Sequence, residues 1–290
     1  ASWEDADIIY ASPTAWLTAK DIASNSSAGA GYPSIIKVST KNYFYVYGKQ
    51  VSSTDTDTWG GNLAVTTSMD GTVGKRLTWT GPGESWANLI SAATANFVQD
   101  SQVDLSCVIS ENDATHPNTW INFDRSVLLF DTSSLPDSCT VTAAILSLYG
   151  YLKNDDAVAI APNINVYASN PASNIKLATG DFNSFGPTPF CDTPITYAAW
   201  SLAGYNAFAL NAAGIAAISK TEVSKFGARN ANYDVAATPP TWTAGGAHYL
   251  IAYATEQGIG YKPKLVVTYT VPPVEVVSSL VAKLIAAGVI

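Results

Sequence analysis

The chain has 290 residues, a formal net charge of −8 and an isoelectric point near 4.6, with 13% charged residues against 47% hydrophobic ones. That length supplies one large core or two smaller ones, since single cores stop growing at roughly 250–300 residues, and two are expected here. An acidic, charge-poor chain has no basic stripe to neutralise phosphates, which excludes nucleic acid and anionic membrane surfaces as partners.

The opening ASWEDADIIY carries neither an initiator Met nor a basic segment followed by an apolar one. Removal of a signal peptide and trimming of a Met both fit, the first implying export and the second assembly inside a host. Residues 1–78 read as a small β-rich unit for assembly or attachment. Within it, Tyr43, Phe44, Tyr45, Val46 and Tyr47 form an aromatic strand ended by Gly48, after a Gly- and Ser-rich loop. In the turn TDTDTWGG, Asp55, Asp57 and Gly60 match the first half of a calcium loop. Thr66 stands where the twelfth-position acid belongs, so an ordinary turn is expected and a structural calcium is the alternative.

A second unit begins at Trp79 and the GPG turn. WANLISAATANFV is ambiguous in period, and VDLSCVI reads as a strand. The stretch Arg125–Tyr151, RSVLLFDTSSLPDSCTVTAAILSLYGY, writes two strands around one turn. Val127, Leu129 and Asp131 fall on one side of the first ribbon and Leu128 and Phe130 on the other, so this strand is apolar on both faces and belongs in an interior. Pro136 and Asp137 set the turn, and Val141, Ala143, Ile145, Ser147 and Tyr149 resume an alternating row. Further strands are expected at 164–168, 205–210, 223–226, 249–254 and 264–271, with a short helix over 212–219 capped by Asn211. After VPP, the residues Val277, Leu280, Val281, Leu284 and Ile285 recur at helical spacing. This tail, 272–290, reads as an amphipathic helix that contacts a neighbouring subunit, too short and mixed for a membrane span. Docking on its own domain and donation of a strand are the alternatives.

Chemistry-bearing patterns are sparse. Cys107, Cys139 and Cys191 have no zinc-site spacing and read as buried unpaired thiols, with one disulfide plus a free thiol as the alternative. His116 and His248 read as solvated or hydrogen-bonded imidazoles. Asp131, Asp137, Asp155 and Asp156 read as turn carboxylates, and Glu84, Glu111, Glu222 and Glu256 as scattered acids. No nucleophile elbow, phosphate loop or dinucleotide fingerprint occurs, so no enzyme and no cofactor is expected. Trp59, Trp120 and Trp242 stand beside polar or turn residues and are the candidates for a sugar-stacking platform; Trp200 is similar. Packing is the competing reading for each.

The order of RSVLLFDTSSLPDSCTVTAAILSLYGY, PNINVYASNPAS, YNAFALNAAGIAAISKTEVSKFGARNANYD and GIGYKPKLVVTYT, over roughly residues 79–271, resembles the DNRLRE-type β-sandwich family. The resemblance implies an all-β jelly roll, similar to carbohydrate-binding modules, of the kind found in secreted surface proteins and phage structural proteins. It does not extend to residues 1–78 or to the tail. The expectation is therefore a jelly-roll β-sandwich preceded by a small β unit and followed by a helix. As a function, it implies a non-enzymatic structural protein of a virion, fibre or extracellular filament, partnered by its own copies and other subunits. A glycan-binding adhesin module and a polysaccharide-degrading enzyme are the alternatives. Extracellular or virion-surface localisation follows from either leading reading.

Overall fold

The computed structural model describes residues 34–37, 43–46, 59–79, 81–156 and 158–271. The chain divides into two compact units, one formed by Ala1–Trp59 with Pro272–Ile290 and the other by Gly60–Val271. In the first, β1 (Ser34–Lys37) pairs antiparallel with β2 (Tyr43–Val46), Ser34 opposite Val46 and Lys37 opposite Tyr43, so the aromatic run is a strand.

The second unit is all-β. Its strands are β3 (Trp59–Arg76), β4 (Phe97–Gln99), β5 (Asp104–Glu111), β6 (Trp120–Asp131), β7 (Thr140–Asp155) and β8 (Asn163–Ser169). They continue with β9 (Phe185–Pro189), β10 (Ile195–Thr196), β11 (Tyr205–Ala209), β12 (Val223–Asn230), β13 (Ala247–Tyr253) and β14 (Lys264–Val271). Two short helices interrupt them, α1 (Trp86–Ile90) and α2 (Ala212–Ala216), and the Asn211 side chain caps α2 by accepting from the N–H groups of Ala213 and Gly214. The neighbour order β6–β5–β13–β7–β14–β3 returns to β6 and closes a six-stranded barrel. Closure removes the free edges that an open sheet must protect. β12 and β8 extend from β6, β11 pairs with β7, and β4 pairs with β3.

The all-β expectation holds, and in place of the expected sandwich the strands close into a barrel in which β3 takes part. This strand lies along β6, with Gly71 opposite Val127 and Arg76 opposite Asn122, so residues from Gly60 onward belong to the barrel. Its sequence hides that role, because the polar Thr67, Asp70 and Thr72 are buried alongside Met69 and Val73. Two glycines permit the close approach: a Cβ on Gly71 would lie 2.3 Å from the Gln99 carbonyl oxygen, and one on Gly74 would lie 2.0 Å from Asp124 Oδ1.

β6 is paired along both edges, to β3 on one side and to β5 and then β12 on the other. Each of its two apolar faces is covered by a core. Leu128 and Phe130 enter a core with Leu105, Leu146, Phe208, Phe226, Leu250 and Leu265. Val127 and Leu129 enter a second core with Trp86, Leu89, Phe123 and Phe182, beneath α1. Truncating a buried aromatic such as Phe130 to Ala would cost about 3–5 kcal/mol. All three cysteines are buried and unpaired, and burial pushes the Cys107 and Cys191 thiols up to about 12.

A candidate contact surface on the barrel

Buried ionisable groups of this unit are engaged with one another. Arg125 on β6 and Arg229 on β12 stand on adjacent strands, and Asp234, in the turn after β12, accepts from both. The bonds run from Arg125 Nε and Nη2 at 2.9 and 2.7 Å and from Arg229 Nε and Nη2 at 2.7 Å each. Remaining guanidinium N–H groups donate to the carbonyls of Phe182, Ile90 and Gly186. Burial alone would push the Asp234 carboxyl up, but the two guanidiniums override it and hold the group below its usual range.

His248 on β13 lies between two carboxylates, with Nδ1 2.7 Å from Asp155 Oδ1 and Nε2 3.4 Å from Glu111 Oε2. Burial would lower its pKa, yet the hydrogen bonds and charges of Glu111 and Asp155 outweigh this and raise it. Asp155 also accepts from the N–H groups of Ile160 and Ala161. The imidazole and the Glu111 carboxylate have no exposed surface, so a general-base role would lack access to substrate. In sequence Glu111 is a scattered acid; the fold brings it to His248 from 137 residues away in the chain. Asp70, likewise enclosed, accepts from Thr67 and Thr255, and burial raises its pKa. Among the described residues, no group of three or more His, Cys, Asp or Glu is placed to hold a metal ion.

Among the described residues, the candidate tryptophans do not gather into a platform. Trp120 is 5% exposed and packs edge-on against Trp86 in the second core, which corrects its reading as a ligand surface. Trp242 is half-buried and donates its Nε1–H to the Thr119 carbonyl. Trp200 is core. Trp59 begins β3, but its side chain lies outside the described residues, as do Asp55, Asp57, Val277, Leu280, Val281, Leu284 and Ile285.

Tyrosines instead gather on the outside of the barrel. Tyr149 is the hub, with ring centroids 5.2 Å from Tyr205, 5.9 Å from Tyr253 and 4.8 Å from Tyr261. Tyr253 stacks on Tyr151 at 4.5 Å and meets Tyr261 edge-on at 4.9 Å. Tyr151 is 36% exposed and the others are partly so. A bulge creates the arrangement: Ile251 pairs with Leu152 and Ala252 with Gly150, leaving Tyr151 as the extra residue on β7. Only glycine fits at position 150, where a Cβ would stand 1.9 Å from the Ser201 carbonyl oxygen. Partial loss of water raises the Tyr205 phenol, reinforced by Tyr149, and Tyr205 donates to the carbonyls of Gly260 and Lys262.

This cluster continues into the outer face of β7, β11 and β14. The register aligns Ala209, Ile145 and Val266 in one row and Ala207, Ser147 and Lys264 in the next, followed by Tyr205 beside Tyr149. The Lys264 ammonium reaches the Tyr205 ring at 3.8 Å, and Ser147 beneath is 4% exposed. Ile145, at the centre, is 43% exposed. The sequence signal was the row Ile145, Ser147, Tyr149, whose partners on β11 and β14 no local pattern identifies.

No family model matches the chain, and no curated protein is similar to it. Among the described residues, no helix is long and apolar enough to cross a membrane.

Proposed function

We propose that the chain is a non-enzymatic structural protein of a surface assembly, such as a virion head or tail decoration, a fibre or an extracellular filament. The observation that carries this reading is the tyrosine cluster with its adjoining apolar sheet face, because rigid aromatic rings on a flat surface suit contacts between proteins. The buried Arg125–Asp234–Arg229 and Glu111–His248–Asp155 groups support it, since their hydrogen-bonding capacity is directed inward to hold strands together. The resemblance to DNRLRE-type jelly rolls agrees with such a role, as does an extracellular or virion-surface location. Light scattering tests it: the full chain is expected to form species larger than one copy, and deletion of residues 274–290 to reduce their size. A chain that stays single-copy at every concentration would remove the proposal.

A second reading, a glycan-binding module, draws on the same tyrosines, whose ring faces and hydroxyls can stack on and hydrogen-bond sugars. A glycan array separates the two, with signals that fall in Tyr151→Ala and Tyr253→Ala expected for the second reading and a blank array for the first.

A further inference from the structure

We propose that Tyr151 and Tyr253 are a site of oxidative cross-linking, at which a carbon–carbon bond between the two rings staples the adjacent strands β7 and β13 together. The rings stack with centroids 4.5 Å apart and planes 27° apart, the closest and flattest contact in the tyrosine cluster. The other contacts there are tilted or edge-on, at 50–74°. Facing rings set the carbons ortho to the two hydroxyls opposite one another. Those are the carbons through which two phenoxyl radicals couple, because the para carbon is already bonded to the side chain. The bulge that leaves Tyr151 as the extra residue on β7 supplies the arrangement, so the pair is held before any oxidant arrives, and a held pair reacts without the cost of an encounter.

Access from solvent favours the same pair. Tyr151 is 36% exposed and Tyr253 is partly so. The side chains most readily oxidised are enclosed: the single methionine, Met69, is buried, and so are Cys107, Cys139 and Cys191. Tyr205 is tied by its hydroxyl to the carbonyls of Gly260 and Lys262, and the Lys264 ammonium over its ring opposes loss of an electron. Trp79, 51% exposed, is the competing target. The co-reactant is hydrogen peroxide, consumed through a haem peroxidase. Each phenol gives up one electron and its hydroxyl proton, the two radicals join through their ortho carbons, and each of those carbons then releases its hydrogen as a proton while the oxygen takes one back. In sum two ring C–H bonds break, one C–C bond forms, and the two electrons and two protons removed reduce the O–O bond of peroxide to two waters. The new bond closes a loop of about 100 residues, and a cross-link of that span takes conformational freedom from the unfolded chain.

Treatment of the full chain with hydrogen peroxide and a haem peroxidase tests the proposal, read by peptide mass mapping and by biphenol fluorescence. The single-chain product is expected to lose two hydrogen masses, to carry its link between the peptides of Tyr151 and Tyr253, and to melt about 9–19 °C above the untreated chain. Tyr151→Phe and Tyr253→Phe keep the stacked rings and remove the phenols, so each should reduce that link to background while the untreated variant retains the circular dichroism spectrum of the parent. A link mapped to a different pair such as Tyr149 and Tyr261, a link found only between copies, or oxidation confined to Trp79 would overturn the site, and this map of the parent decides even where a variant fails to fold. An unchanged midpoint in the linked product would overturn the staple.

Discussion

Asp234→Asn preserves the shape of a buried side chain and removes its charge. Asp234 accepts four N–H bonds of 2.7–2.9 Å from Arg125 and Arg229, and its carboxylate has no exposed surface. Without it, two enclosed guanidiniums on adjacent strands face each other uncompensated. Breaking a buried ion pair by removing one partner costs about 3–5 kcal/mol. In a unit the size of Gly60–Val271, each kcal/mol moves Tm by about 2–4 °C, so the midpoint should fall by about 6–20 °C. Thermal unfolding followed by circular dichroism reads this directly, with Asp131→Asn as the reference. Asp131 is exposed and bonds only its local turn through Ser133, so its loss should leave the midpoint nearly unchanged. The acid side supplies a second readout. Because the folded-state pKa of Asp234 is depressed, its contribution is present above the ordinary carboxylate range and disappears as pH falls through the folded value. Asp234→Asn should flatten that acid-side slope. A fall no larger than that of Asp131→Asn would refute the reasoning.

Three further outcomes follow from the same geometry. Since the His248 pKa is raised, its stabilisation is complete below about pH 6.5 and is lost as pH rises through the folded value; His248→Asn should therefore lower urea midpoints chiefly on the acid side and flatten the decline above it. Gly150→Ala should cost about 1–3 kcal/mol, as overpacking does, and speed amide exchange over residues 201–205, because the new Cβ drives Ser201 outward; unchanged exchange would count against the bulge argument. Asn211→Ala should cost about 1 kcal/mol in a urea titration through loss of the α2 cap, and a neutral result would show that the cap is redundant.

What the sequence made legible is what local pattern controls. β14 runs over Lys264–Val271 as its alternation predicts, Asn211 caps the helix it precedes, and the two apolar faces of β6 foretell its burial between two cores. Non-local closure was not legible. β3 interrupts its apolar residues with Gly and Thr because it lies close against β6 and β4, and such a composition carries no clear strand alternation. The Glu111–His248–Asp155 group joins residues 137 and 93 positions apart, with nothing in their neighbourhoods to link them. Tyr149, Tyr205, Tyr253 and Tyr261 were hidden for another reason. Each occupies an ordinary strand or loop position, and only the bulge at Tyr151 and the pairing of β7 with β11 and β13 bring the rings together.

The central claim, that this barrel is a building block of a surface assembly, is tested most directly by electron microscopy of the native source material with antibodies raised against the chain. The account predicts label at regular spacing on a repeating particle or filament. Label on isolated single copies, with no periodic structure beneath, would contradict it.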